Sequence, residues 1–115
     1  MTRATQNLSQ RFPAKRAFIT GAASGLGLAC AEWLAREGWR DSSALTRLVD
    51  DGVGAIGGLD LALHCAGVAT AGSFLGSAPE DWQWVFDINV HGTVNSCRAV
   101  APHMQRQRSG GVIVN

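Results

Sequence analysis

With 115 residues, 46% of them hydrophobic and 17% charged, the chain has enough material for one domain with a core and too little for two. A net charge of +1 provides no electrostatic handle on nucleic acid or a membrane surface, and no apolar run approaches membrane-spanning length, so neither is expected as a partner. Cys30, Cys65 and Cys97 are as dispersed as His64, His91 and His103. Neither set has metal-ligand spacing, so the expectation is reduced thiols in a cytoplasmic setting and no metal site.

Taken in chain order, residues 1–16 carry Arg3, Arg11, Lys15 and Arg16 and no acid. They are read as a flexible basic arm, with a mitochondrial transit peptide as the alternative. Ala17 to Thr20 is predicted to be the first strand. It runs into Gly21-Ala22-Ala23-Ser24-Gly25-Leu26-Gly27, a glycine-studded turn that opens a helix. Glycines permit tight turning and close approach of a ligand, and a helix N-terminus offers unpaired N–H groups to an anion. That combination predicts a pyrophosphate cradle; a turn with only a structural role is the alternative. The helix is predicted over Gly25 to Glu37 with Leu26, Ala29, Cys30, Trp33 and Leu34 as its buried face, and Gly38 as its stop.

Ser42 or Ser43 is the predicted cap of a second helix that carries Ala44, Leu45, Leu48 and Val49 and frays toward Gly52 and Gly54. Leu59 to Cys65 is an apolar run of strand length, suited to a strand covered on both faces. Ala69 to Gly76 is predicted loop. Ser77 and Glu80 fit a capping box, followed by a long helix from Pro79 to about Gln107, bent near Asn89 to Gly92 and near Pro102. Trp82, Trp84, Val85, Phe86 and Ile88 are read mostly as packing residues on it. After Gly110-Gly111, Val112 to Asn115 begins another strand.

Four segments, in this order, resemble the short-chain dehydrogenase/reductase family. Thr20 to Gly27 matches its TGxxxGxG, and Leu59 to Gly67 its strand ending in NNAG. Asn89-Val90-His91-Gly92-Thr93 matches its long helix, and Gly110 to Asn115 the strand that leads to its catalytic serine. The resemblance implies an α/β fold for residues 17–115, a partial Rossmann-type three-layer sandwich with a parallel sheet. It implies NAD or NADP as cofactor, and hydride transfer between nicotinamide and an alcohol or ketone in complete relatives.

The departures matter as much. The family's serine would fall a few residues beyond Asn115, and its Tyr-xxx-Lys further on. The chain has no tyrosine, and its only lysine is Lys15. The phenol that exchanges the substrate proton is missing, and so is the lysine that tunes it and holds the nicotinamide ribose. About thirty residues, a strand–helix–strand's worth, are also absent near Arg40–Asp41 relative to the family. The sheet is expected to lack its second and third strands and its C-terminal half, which would leave Ala17–Thr20 as an exposed edge. The linker Gly38–Ser42 reaches at most ~18 Å, while the helix layers it would join stand roughly 20 Å apart with a further ~15 Å of helix length to cover. Both helices cannot then keep their family places; a fragmentary or spliced product is the preferred explanation.

Gly21, Ser24, Gly25, Leu26 and Gly27 are the candidate pyrophosphate contacts. Cys65, Ala66 and Gly67 are expected to line the adenosine side, with Cys65 a small packed residue rather than a reactive thiol. Asn89 is the sole catalytic-relay residue that the resemblance assigns, idle without its lysine. The residue that would read the adenosine ribose lies in the missing strand, so preference rests on the lack of a basic residue in the turn, a tilt toward NAD. The chain is expected to be catalytically inactive. The alternative is a non-catalytic isoform that binds nucleotide, or that pairs with itself or a full-length subunit through the helix 79–107.

Overall fold

The computed structural model describes residues 7–41 and 49–115. In chain order the elements are α1 (Leu8–Arg11), β1 (Arg16–Thr20), α2 (Gly25–Arg36), β2 (Arg40–Asp41), α3 (Val49–Ile56) and β3 (Leu61–His64). A 3-10 turn (Phe74–Gly76), α4 (Pro79–Phe86), a π-helical segment (Asp87–His91), α5 (Gly92–Arg106) and β4 (Val112–Val114) complete it.

The sheet is parallel, in the order β2-β1-β3-β4. Its register is even: Ala17 lies beside Leu61 and Leu61 beside Val112, while Phe18 lies beside Ala62 and Ala62 beside Ile113. Side chains alternate across a sheet, so each row serves one face. Ala17, Ile19 and Leu61 pack with Phe12, Leu34 and Trp39, on the side of α2. Ala62, with Phe18 and Ile113 against it, packs with Val53, Val100 and Met104, on the side of α3 and α5. Both faces are covered, which is why these strands read as continuous apolar runs. The result is the expected α/β three-layer arrangement, of three full strands and the two-residue β2.

Several expectations need correction. Arg40 and Asp41 pair with Arg16 and Ala17, so β1 is not wholly an edge; its outer side is covered at its first two residues. The second helix runs unbroken through Gly52 and Gly54 to Ile56. Its predicted start at Ser42 or Ser43 lies outside the described residues. The linker argument also fails, because α2 and α3 do sit on opposite faces. Eight residue steps separate Asp41 from Val49, a reach of up to about 27 Å.

On α2 the buried residues are Gly27 and Leu34, with Cys30 and Ala31 half-buried, while Leu26 and Trp33 face outward at 75% and 59% exposure. The true stripe is 27, 30, 31, 34, a helical face offset by one position from the predicted one. Gly38 is the stop as predicted: at φ +79° it lets the Trp39 N–H reach back to the Leu34 carbonyl (2.9 Å).

Within the stretch read as a basic arm, residues 7–16 hold a helical turn and a fully buried Phe12. The Ser9 hydroxyl accepts from the Trp39 indole N–H at 3.1 Å. The long helix is continuous: a π-helical segment stands where the first bend was predicted, and α5 runs on through Pro102, the place of the second. Its cap is Ala78 rather than Ser77: Asp81, not Glu80, accepts from the Ala78 N–H, and the Ser77 hydroxyl donates to the Ser73 carbonyl (2.9 Å). Trp82, Trp84 and Phe86 are 45–51% exposed, because α4 meets chiefly the π-helical segment that continues it, and Trp82 packs edge-to-face only on the Phe74 ring among the described aromatics.

Candidate functional site

β1 delivers the Gly-rich turn to the C-terminal end of the sheet, where ligands of open α/β sheets bind. Thr20, its last residue, fixes the neighbouring strand end. Its carbonyl accepts from the Cys65 N–H (3.3 Å) and its hydroxyl from the Ala66 N–H (3.2 Å). The turn therefore rests directly on Cys65-Ala66. Gly21 adopts φ +68°, and a Cβ there would stand 2.8 Å from the Ala66 nitrogen and 2.9 Å from the Cys65 carbonyl carbon.

Gly27 closes the turn from the other side. A Cβ on it would meet the Gly21 carbonyl oxygen at 2.3 Å and the Cys65 Cβ at 3.1 Å. Between them, Ser24 is the extended N-cap of α2, its hydroxyl makes no cap bond, and Gly25 at φ +57° faces open space. The first-turn N–H groups of Gly25, Leu26 and Gly27 have no intrahelical acceptor, as in any helix. Open space over a twelve-residue helix N-terminus, with backbone brought close by glycine, fits an anionic diphosphate. The predicted residues of the turn are thus brought together with Cys65 and Ala66.

Gly67 and Asn89 form a second feature. The Asn89 Oδ1 accepts from the Val68 N–H and its Nδ2 donates to the Val68 carbonyl, both at 2.8 Å. Asn89 is more than a helix-bend residue: one amide binds both polar groups of Val68 and holds the segment after β3 to the π-helical segment. A matching pair stands at the other end of α5. Gln107 accepts from the Leu59 N–H (3.1 Å) and donates to the Leu59 carbonyl and to that of Gly110.

Beside the turn, on the α5 side of the sheet, lies a cavity of about 240 Å³ lined by Thr20, His64, Ala66, Ile88, Thr93 and Ser96 among others. The His64 Nδ1 sits 2.7 Å from the Asn115 Oδ1, with the Cys97 thiol 3.7 Å from both. This is not a nucleophilic Cys–His–Asn relay: cysteine and asparagine compete for the same ring nitrogen, and the buried Nε2 has no partner. On the α2 side, burial pushes the Cys65 thiol up, and the adjacent Cys30 adds to the effect. Among the described residues no group of three or more His, Cys, Asp or Glu could hold a metal ion. No described helix is long and apolar enough to cross a membrane.

Sequence reasoning passed over Thr20 as a contact in its own right, and over Val68. The threonine was visible, since it opens the TGxxxGxG match. Nothing local marks Val68. Asp41, at the end of β2, pairs with Ala17, three residues below Thr20. At about 3.3 Å per residue it stands some 10 Å short of the turn.

The family model described as short chain dehydrogenase matches residues 39–115. An uncharacterized NAD-dependent oxidoreductase of Mycobacterium tuberculosis is 42% identical over 75 residues, 65% of this chain and 27% of the relative. The 2,3-dihydro-2,3-dihydroxybenzoate dehydrogenase of Bacillus subtilis is 28% identical over 132 positions, covering 86% of this chain and 51% of the relative. That alignment is longer than the chain itself, so the relative holds residues with no counterpart here. Among solved structures, a short-chain dehydrogenase/reductase from Serratia marcescens superposes with a TM-score of 0.71 at 27% identity, over 79% of this chain and 53% of that one. The chain thus spans about half, or less, of the length of these relatives.

Proposed function

The chain belongs to the short chain dehydrogenase family, and on that premise we propose that it binds a nicotinamide dinucleotide through its Gly-rich turn without transferring hydride by itself. The observation that carries the binding half is the open helix N-terminus between Gly21 and Gly27, seated on Cys65-Ala66. Backbone N–H groups of Ser24 to Leu26 hold the pyrophosphate, Gly27 keeps α2 close beneath it, and Cys65, Ala66 and Gly67 flank the adenosine. When bound, the nicotinamide supplies a hydride-exchanging carbon. This chain's residues position the diphosphate end and leave the proton unserved.

The inactive half rests on composition and placement. There is no tyrosine. The one lysine, Lys15, precedes β1 and donates to the Glu37 carbonyl at 2.8 Å, at the opposite end of the strand from the turn. A five-residue strand puts roughly 16 Å between them. Asn89, the remaining relay residue, is committed to Val68. The turn carries no basic residue to meet a ribose phosphate, which favours NAD over NADP. The free, dispersed cysteines support a reducing compartment, the cytoplasm in this reading, with a mitochondrial destination as the alternative.

Calorimetry with NAD, NADH, NADP and NADPH tests this reading. Heat is expected with the NAD pair and weaker heat with the NADP pair; silence with all four removes the binding role. Turnover of any alcohol or ketone by the purified chain would remove the inactivity. A second reading, pairing with a further copy or a full-length subunit, is favoured by the outward Trp82, Phe86, Val90 and Val94, each 45–51% exposed along one helix. Light scattering is expected to show a mass that rises with concentration.

A further inference from the structure

His64 lines the cavity beside the turn, and its Nε2 is the one buried side-chain nitrogen or oxygen without a hydrogen-bond partner among the described residues. The other ring nitrogen fixes what Nε2 can do. The Asn115 Oδ1, 2.7 Å from Nδ1, can only accept, so Nδ1 carries the ring proton and Nε2 keeps a lone pair. The Cys97 thiol, 3.7 Å away, gives to the same oxygen. A buried acceptor left unpaired is costly, and native proteins rarely leave one. The walls restrict what could donate to it. Ala66, Ile88 and Gly92 are apolar, and neither lysine nor arginine lines the cavity. Asp87 stands at it, bonded to Gln83 (2.8 Å) and 3.0 Å from the His91 Nδ1, and its charge disfavours an anion. Thr93 spends its hydroxyl proton on the Asn89 carbonyl (2.8 Å), whereas Thr20, which accepts from the Ala66 N–H, keeps its own to give. At about 240 Å³ the space exceeds the ~150 Å³ that takes a benzene ring.

We propose that this cavity binds a small neutral molecule with an apolar body and a single hydroxyl, of the phenol class. The ligand O–H donates to the His64 Nε2, and its oxygen accepts from the Thr20 hydroxyl. Its body lies against Ala66, Ile88 and Gly92. The site is distinct from the phosphate cradle. Thr20 and Ala66 serve both, but the other walls come from the π-helical segment and α5, across the sheet from α2. Binding is all that is assigned to it: a phenol has no carbinol hydride to give, and no bond is made or broken.

The test titrates the whole folded chain, without nucleotide, with phenol and with anisole, following the ring-nitrogen resonances of the three histidines by NMR. Anisole has nearly the same body and no donor. Phenol is expected to move the His64 signals saturably, with half-saturation at about 1 mM for so small a ligand, and to leave those of His103 in place. Anisole is expected to bind roughly three- to tenfold more weakly, the worth of one hydrogen bond. The His64→Phe variant keeps a ring in the wall without the acceptor, and is expected to bind the two equally. The comparison in the unaltered chain needs no variant to fold. Equal affinity of the unaltered chain for phenol and anisole would overturn the proposal. So would the absence of any saturable change at His64, which leaves Nε2 to water. Because no nucleotide is present, either failure leaves the NAD reading standing.

Discussion

Replacing Asp60 with alanine is expected to remove a large share of the chain's stability. Asp60 is 1% exposed, and its carboxylate is the meeting point of the lower end of the sheet. One oxygen accepts from the Arg16 backbone N–H (3.0 Å) and from its Nε (2.9 Å), the other from its Nη2 (2.8 Å). The backbone of Asp60 completes the junction, donating to the Arg16 carbonyl and accepting from the Val112 N–H, each at 2.9 Å. Three strands thus converge on one residue. Removing one member of such a buried pair costs about 3–5 kcal/mol, against a total of roughly 5–15 kcal/mol for a domain. The guanidinium stays 14% exposed and hydrates partly, which places the loss toward the lower end. Urea titration followed by circular dichroism is the measurement. A midpoint within a tenth of the wild type would show that the pair adds little.

Gly27→Ala is expected to abolish nucleotide binding and to lower stability together. The new methyl would stand 2.3 Å from the Gly21 oxygen and 2.8 Å from the Gly21 carbon. Both are backbone atoms of the turn, so no rotamer change relieves the clash; α2 must back away from the strand. Overpacking of this kind costs about 1–3 kcal/mol, and the displaced helix takes the candidate phosphate donors with it. Gly25→Ala is the comparison. Its Cβ meets nothing, and the penalty is that of φ +57° alone, about 1–2 kcal/mol. Calorimetric titration with NAD beside a thermal melt is expected to rank Gly27→Ala below Gly25→Ala on both counts. The opposite order would move the cradle's critical contact from the helix–strand approach to the open turn.

How much of this was legible in the chain depends on whether the cause was local. β3 and β4 are short apolar runs bounded by glycines, and they fold where those runs fall. The Gly-rich turn carries its own geometry, so its glycines land where expected. The inner face of α2 was misjudged because Leu26 and Trp33 are apolar yet lie outside; periodicity counts hydrophobic residues and cannot see which face the strand takes. The Arg16–Asp60 pair joins residues 44 apart, and nothing near either one announces the other. The same holds for Asn89 with Val68 and Gln107 with Leu59. β2 escaped notice because two residues make no pattern. The arm escaped because Phe12 looks like an isolated aromatic until Trp39 and Leu34 surround it.

The two amide clamps have a consequence for how the layers respond to their surroundings. Asn89 and Gln107 hold the chain before and after β3 to a single helical rod, and they do so with neutral groups. A primary amide neither titrates near physiological pH nor draws a counterion atmosphere. Raised ionic strength therefore leaves the α5 side of the sheet moored as before. At the lower end of the sheet it is the charged Arg16–Asp60 pair, with its carboxylate buried, that holds the strands.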